Sequence, residues 1–148
     1  MIDLSDRVGQ ELGVGEWMEV TQDRVDAFAD ATDDHQWIHQ AGEKADNGPF
    51  GGPIAHGFLT LSLLTPLTGA VMQAHLEGAV MAINYGLDRV RFITPVRVGS
   101  RIRGRVKLVE VKPIENGVQL KTESTIEIEG SDRPGCVVET ISRYYPAA

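Results

Sequence analysis

The chain has 148 residues, of which 42% are hydrophobic and 24% are charged, and its formal net charge is −7. These values are typical of a soluble globular protein with a single domain, which we expect to span residues 1–148, and they exclude an intrinsically disordered chain. Cys136 is the only cysteine, so a scaffold held by intrachain disulfides is excluded. A net acidic chain is also not expected to bind nucleic acid.

The first residues have no basic region followed by an apolar run, so no signal peptide is expected. The most apolar stretch, Phe58–Met72, is shorter than the roughly 20 apolar residues of a membrane span and contains several polar residues. We therefore expect a buried core helix there, no membrane association and a cytoplasmic location.

The first half of the chain has helical patterns. A short strand is predicted at Trp17–Val20, and Thr21 is a good N-cap for a helix that ends near Ala31 or Thr32. Residues 33–52 contain five Gly or Pro residues and are expected to be mostly loop. A long apolar helix is then predicted from His56 to Gln73, with a kink where Pro66 removes a backbone donor.

The second half has strand patterns. Apolar and polar residues alternate along the most regular of its segments, and turn residues separate these segments. The predicted strands are Met81–Phe92, Arg101–Val111, Gly117–Glu129 and Cys136–Tyr144. With the short first strand they make an antiparallel sheet of about five strands.

A long apolar helix needs cover on most of its sides, and a curved sheet wrapped around it would supply that cover. This α+β arrangement is the hot-dog fold. A single small sheet leaves its edges and one end of the helix open, so a dimer is expected.

Charge is distributed unevenly along the chain. Residues 1–47 hold twelve acidic and three basic residues, whereas residues 89–112 hold eight basic residues and Glu110. The basic segment could bind an anionic ligand, but alternating charge is also typical of a solvated strand face.

Two segments could carry chemistry. Residues 32–39 contain two carboxylates, Asp33 and Asp34, and two imidazoles, His35 and His39. Residues 51–57 bring two glycines and His56 to the start of the long helix, where the first N–H groups lack intrahelical partners and carry the positive end of the helix dipole. An oxygen that becomes negative during a reaction could sit there.

Three interpretations of these residues remain open. In the first, Asp34 and His39 act as an acid–base pair; five residues apart, they would diverge on a helix but can converge from a loop. In the second, His35 and His39 bind a metal with Asp34 or His56. In the third, the aspartates cap helix ends and the histidines are structural. Cys136 is expected to be an inert core residue, and Trp37 either gates a pocket or anchors the core or an interface.

The segment Phe28–His39, with Asp-Asp-His-Gln-Trp-Ile-His at its end, and the segment Gly48–Ser62, with Ala-His-Gly before the apolar helix, resemble the hydratase motif of the MaoC-like dehydratase family. This family includes the (R)-specific enoyl-CoA hydratases, and the nearest branch is the nodulation-protein-N-like group. Residues 84–100 are similar to that branch as well.

The resemblance implies a hot-dog homodimer that reversibly hydrates trans-2-enoyl thioesters of CoA or acyl-carrier protein to (R)-3-hydroxyacyl thioesters, with no metal or redox cofactor. Asp34 and His39 would activate the water, and the Gly57 N–H would polarise the thioester carbonyl. Ser62 and His56 would complete the substrate-binding group.

The sequence departs from the family pattern at Asp33, at Gln36-Trp37 and after His39, so the shape of the loop and the acyl-chain length stay open. Two other functions also stay open: a non-catalytic module that binds an acyl thioester or another small ligand, and a hot-dog acyl-CoA thioesterase.

Overall fold

The structure, a computed structural model, describes residues 2–148. The strands are β1 (Glu11–Val14), β2 (Met18–Glu19), β3 (Ala79–Phe92), β4 (Arg101–Ile114), β5 (Gly117–Ile128) and β6 (Cys136–Pro146). The α-helices are α1 (Gln22–Thr32), α2 (Glu43–Asp46), α3 (Gly57–Ser62) and α4 (Leu64–His75). Short 3-10 helices lie at Ser5–Arg7 and Trp37–His39.

All strands form one antiparallel sheet in the order β1-β4-β5-β6-β3, and β2 also pairs with β4. The predicted five-strand sheet thus has a sixth strand, β1. Its register with β4 shifts between Glu11 and Gly13. A four-residue strand with such an irregularity has no alternating pattern, so no local pattern indicated it.

Strand β4 shows how the sequence sets the core. Ile102, Val106 and Leu108 point inward and are buried, as their alternation predicts, while the intervening basic residues point outward. One buried cluster lies around α3 and the start of α4, and a second lies between α4 and β1.

The long helix crosses the sheet very closely. A Cβ on Gly104 would lie 2.7 Å from Thr68 Cγ2, and a Cβ on Gly15 would overlap the backbone of Leu67. Glycine at these positions lets the backbone of α4 approach β4 and the β1–β2 connection. These contacts fix the height of the helix above the sheet.

The helix agrees with the prediction in one respect and differs from it in another. The helical run is interrupted at Leu63, three residues before Pro66, in agreement with the expected kink. Burial is limited to one face that includes Leu59, Leu63 and Leu67, so the expectation of a helix covered on most sides is wrong for a single chain. Residues 57–75 are long and apolar enough to cross a membrane by length and composition, but their buried face packs on the sheet.

Candidate active site

The predicted loop 33–52 brings the candidate residues together. Helix α1 begins with the predicted cap, because the Thr21 hydroxyl accepts the Arg24 N–H at 3.2 Å. It ends at Asp33, whose φ of 57° is left-handed, a conformation that Asp tolerates better than most residues. The chain therefore leaves the helix axis at Asp34, and the 3-10 turn Trp37–His39 carries His39 into the interior.

The centre of the site is a stack of two imidazoles. The rings of His39 and His56 lie 3.7 Å apart between centroids, with 23° between their planes. His39 is 6% exposed and His56 is 2% exposed, whereas the Asp34 side chain is 50% exposed. Each of the three side chains offers an atom within 4.8 Å of the other two. Asp34 and His39 thus lie close together from a loop, which is the arrangement that the acid–base interpretation requires.

Backbone carbonyls select the histidine tautomers. His39 Nδ1 lies 2.7 Å from the Ile54 carbonyl oxygen, and His56 Nε2 lies 3.0 Å from the Asp34 carbonyl oxygen. Because a carbonyl oxygen only accepts, each of these nitrogens carries the proton. In neutral His39 this leaves Nε2 as the free base.

The environment also keeps His39 neutral. Burial lowers the pKa of His39 below its ordinary value of 6.5, and repulsion from His56 acts in the same direction. The hydrogen bond to Ile54 and the charge of Asp34 oppose this shift without cancelling it. His39 is thus a neutral proton acceptor near pH 7.

A metal site is a poorer fit to this geometry. Stacked rings direct their in-plane lone pairs nearly parallel, whereas a bound metal requires lone pairs that converge at about 2 Å. His35, the other candidate ligand, is half-exposed and lies 3.9 Å from Asp30 instead.

The remaining candidates, Gly57 and Ser62, are the first and last residues of α3. Gly57 directly follows His56 and begins α3, and a Cβ on it would lie 3.2 Å from the Phe92 ring, so the close approach of that ring favours glycine. The Ser62 hydroxyl donates to the Phe58 carbonyl at 2.8 Å. Ser62 also lines a groove of about 760 Å³ between the long helix and strands β3, β5 and β6.

Other residues have structural roles. Asp33 ends α1, as the capping interpretation predicts for an aspartate there. Trp37 lies under the Lys44 ammonium at 4.7 Å and against Gly48, so it anchors α2 to the 3-10 turn. Cys136 is fully buried in the core, and burial raises the pKa of its thiol to about 11, which confirms an inert residue.

The basic segment divides into two groups. Arg103 and Arg105 share the Glu127 carboxylate at 2.7 and 3.0 Å, and Arg101 pairs with Glu129. Bonds from the two guanidinium groups lower the pKa of Glu127. This strand face is a solvated, internally paired surface. Within residues 2–148 the basic residues without an ion pair in this segment are Arg89, Arg91, Arg97, Lys107 and Lys112.

Sequence reasoning missed two residues that support the site. Gln22 Nε2 donates to the His39 carbonyl at 2.9 Å, and the Phe28 ring lies 4.9 Å from the His56 ring. Both lie on the inner side of α1. Their partners are 17 and 28 residues away, so no local pattern indicates the contacts.

Comparison with known proteins now identifies the family. Residues 3–130 match the MaoC-like domain. The chain belongs to the MaoC-like domain family. It is 50% identical over 143 residues to 3-hydroxyacyl-thioester dehydratase Z of Mycobacterium tuberculosis, covering 96% of this chain and 93% of that protein. It is 49% identical over 144 residues to Nodulation protein N of Rhizobium leguminosarum bv. viciae, covering 96% and 89%.

The fold comparison agrees with this MaoC-like assignment. The (R)-hydratase from A. caviae involved in PHA biosynthesis superposes with a TM-score of 0.74 and 25% identity over 95% of this chain and 98% of that chain. The expected hot-dog fold is thereby confirmed.

Proposed function

We propose that this protein is a hydro-lyase that reversibly hydrates trans-2-enoyl thioesters to (R)-3-hydroxyacyl thioesters. The observation that carries the proposal is the convergence of the exposed Asp34 carboxylate and the buried neutral His39 next to the first residue of α3. The family and the dehydratase and hydratase names of its relatives support this reaction class.

The proposed reaction adds one water molecule across the Cα=Cβ bond. Asp34 and His39 hold the water, and one of them removes a proton while the hydroxyl adds to Cβ. The pair then returns a proton to Cα, so that no net proton is gained or lost. A positioned acid–base group of this kind contributes roughly 10²–10⁴-fold in rate.

Electron density moves to the thioester oxygen when the hydroxyl adds. We assign the binding of this oxygen to the Gly57 N–H, which is the first of its helix and has no intrahelical acceptor. One such donor contributes about 10²–10³-fold. Ser62 lies on the groove wall, where it would position the substrate. His56 belongs to the same group of candidates, but it is too deeply buried to contact the thioester directly.

The proposed substrate is an acyl-CoA or acyl-carrier-protein thioester, the proposed assembly is a homodimer, and the proposed location is the cytoplasm. Strand β3 supports the dimer: it pairs with β6 along one edge, and residues 2–148 supply no strand for its other edge. Apolar residues on β3 remain exposed, namely Val80, Met81, Ile83, Tyr85 and Leu87. A long apolar edge strand favours pairing with a second chain.

The test is loss of the enoyl-thioester absorbance when purified protein is mixed with crotonyl-CoA, followed by chiral analysis of the product. Asp34→Asn and His39→Gln should each lower kcat by about 10²–10⁴-fold. Asp30→Asn and His35→Gln, which change an exposed carboxylate and an exposed imidazole nearby, should leave kcat unchanged.

A thiol reagent in the same reaction separates the alternatives. Release of free CoA without loss of the double bond would identify a thioesterase. Saturable binding of crotonyl-CoA and of longer enoyl-CoA esters without turnover would identify a binding module. Full activity of Asp34→Asn would refute the assigned site even if hydration occurs.

A further inference from the structure

One buried side chain of the site has no role in the proposed chemistry. His56 is 2% exposed, and its ring contacts the rings of both His39 and Phe28. Its Nε2 is bonded to the Asp34 carbonyl, and its Nδ1 is buried without a hydrogen-bond partner among the described residues. A buried imidazole acceptor without a partner destabilises the folded protein. A phenylalanine in the same stack would avoid this cost.

Two contacts explain why an imidazole stands there. The Nε2–H donates to the main chain of Asp34 at 3.0 Å across 22 residues of sequence, and so fixes the backbone that carries the carboxylate. The ring face supports the plane of His39 at 3.7 Å. His39 has a second constraint, the Nδ1–H bond to Ile54, so both members of the Asp34–His39 pair are held from the segment 54–56.

We infer that His56 is a positioning residue, which sets the separation of the Asp34 carboxylate and the His39 Nε2 through its bond to the Asp34 carbonyl and its stack on His39. The inference rests on the proposed hydratase function. It assigns His56 no contact with the substrate and no proton transfer.

The position of the Asp34 main chain depends on His56. Asp34 is half-exposed and follows a left-handed residue, so within residues 2–148 its main-chain carbonyl is tied to the core by His56 alone. Misplacement of a reacting group by about 1 Å can cost on the order of 10²-fold in rate. The loss should therefore appear in kcat, with little change in KM.

Three substitutions separate the two contacts. His56→Phe keeps an aromatic ring in the stack but removes the N–H donor. His56→Gln keeps a donor but removes the ring, and His56→Ala removes both. His75→Gln is the matched control, because His75 Nε2 makes the same kind of bond, to the Leu12 carbonyl at 2.9 Å, at the other end of the helical run.

We expect all three variants to keep the native circular dichroism spectrum. In His56→Phe, kcat should fall about 10–10²-fold while KM stays within about threefold of wild type. In His56→Gln, kcat should be partly recovered relative to His56→Ala. His75→Gln should keep the wild-type kcat. Wild-type kcat in His56→Phe, or equal losses in His56→Gln and His56→Ala, would overturn the inference. The inference would also be overturned if all three variants showed a lower kcat, a higher KM and a lower melting temperature together.

A readout independent of turnover distinguishes this inference from the proposed function. The ¹³C shift of the Asp34 carbonyl reports its hydrogen bond directly. It should move in His56→Phe, return toward the wild-type value in His56→Gln and stay unchanged in His75→Gln. If wild-type protein hydrates no enoyl-CoA, the proposed function fails, and an unchanged Asp34 shift in His56→Phe would refute the positioning contact by itself.

Discussion

Protonation of His39 is the change that the site opposes through burial, and its cost should be measurable as a loss of stability in acid. His39 is 6% exposed, its Nδ1–H is bonded to the Ile54 carbonyl, and its pKa lies below 6.5 because burial disfavours the charged form. In the unfolded chain the same imidazole is solvated and titrates near 6.5.

The sign of the effect follows from these two values. Between the folded pKa and about 6.5, the unfolded chain binds a proton that the folded protein does not bind. The free energy of unfolding therefore falls as the pH falls through this window, with a slope of at most about 1.4 kcal/mol per pH unit for one proton. Well above pH 6.5 the unfolded chain has also lost this proton, so His39 is neutral in both states and its contribution no longer changes with pH.

Urea unfolding at fixed protein concentration, from pH 5 to pH 8, measures this slope. His39→Gln should reduce the slope between pH 5 and 6.5 relative to wild type, whereas His35→Gln, which alters an exposed imidazole, should leave it unchanged. The same proton should give kcat an acid limb with a midpoint below pH 6.5. Parallel stability curves for wild type and His39→Gln, or an acid limb above pH 6.5, would refute the assignment of His39 as a buried neutral base.

Three further predictions concern packing, assembly and ligand charge. Gly15→Ala should destabilise the fold by roughly 1–3 kcal/mol, because the added Cβ would overlap the backbone of Leu67, and each kcal/mol should lower the melting temperature by about 2–4 °C. In the control Gly69→Ala the added Cβ would meet no atom within 4 Å, so this helix substitution should raise the melting temperature. Ile83→Lys on the β3 edge should convert a dimer into a 16.1 kDa monomer in light scattering. Arg97 has no ion pair within residues 2–148 and donates to the Gly51 carbonyl, five residues before His56. This cation is available to bind the CoA phosphates, so KM for CoA esters should rise with salt, and Arg97→Gln should flatten that dependence.

The sequence predicted the elements that local chemistry determines. The Thr21 cap, the interruption before Pro66 and the alternation on β4 each depend on a few neighbouring residues, and each is present in the structure. The spacing of residues alone could not predict that residues 33–39 and residues 51–57 form one site. That prediction came from the family resemblance, and the His39–His56 stack and the His56–Asp34 bond agree with it.

Contacts between distant segments could not be predicted in this way. Gln22 and Phe28 reach the site from α1, and nothing in their own neighbourhood differs from an ordinary helix. The basic segment gave an ambiguous pattern for the same reason. The carboxylates that pair with Arg103 and Arg105 lie on β5 and β1, and only the register of the sheet brings them together.

The exposed apolar surface of the single chain connects the proposed dimer with the proposed chemistry. Phe58 follows Gly57 and is 71% exposed, and its ring meets the exposed Phe92 edge-on at 6.2 Å. This apolar surface adjoins the N–H that would bind the thioester oxygen, and that hydrogen bond weakens where water competes for it. A second chain that covers the β3 edge would bury part of the same side of the molecule, because Phe92 ends β3. Ile83 is not a catalytic residue, yet Ile83→Lys should lower kcat as well as the molecular mass in solution. Separation of the chains would leave the Gly57 region open to water.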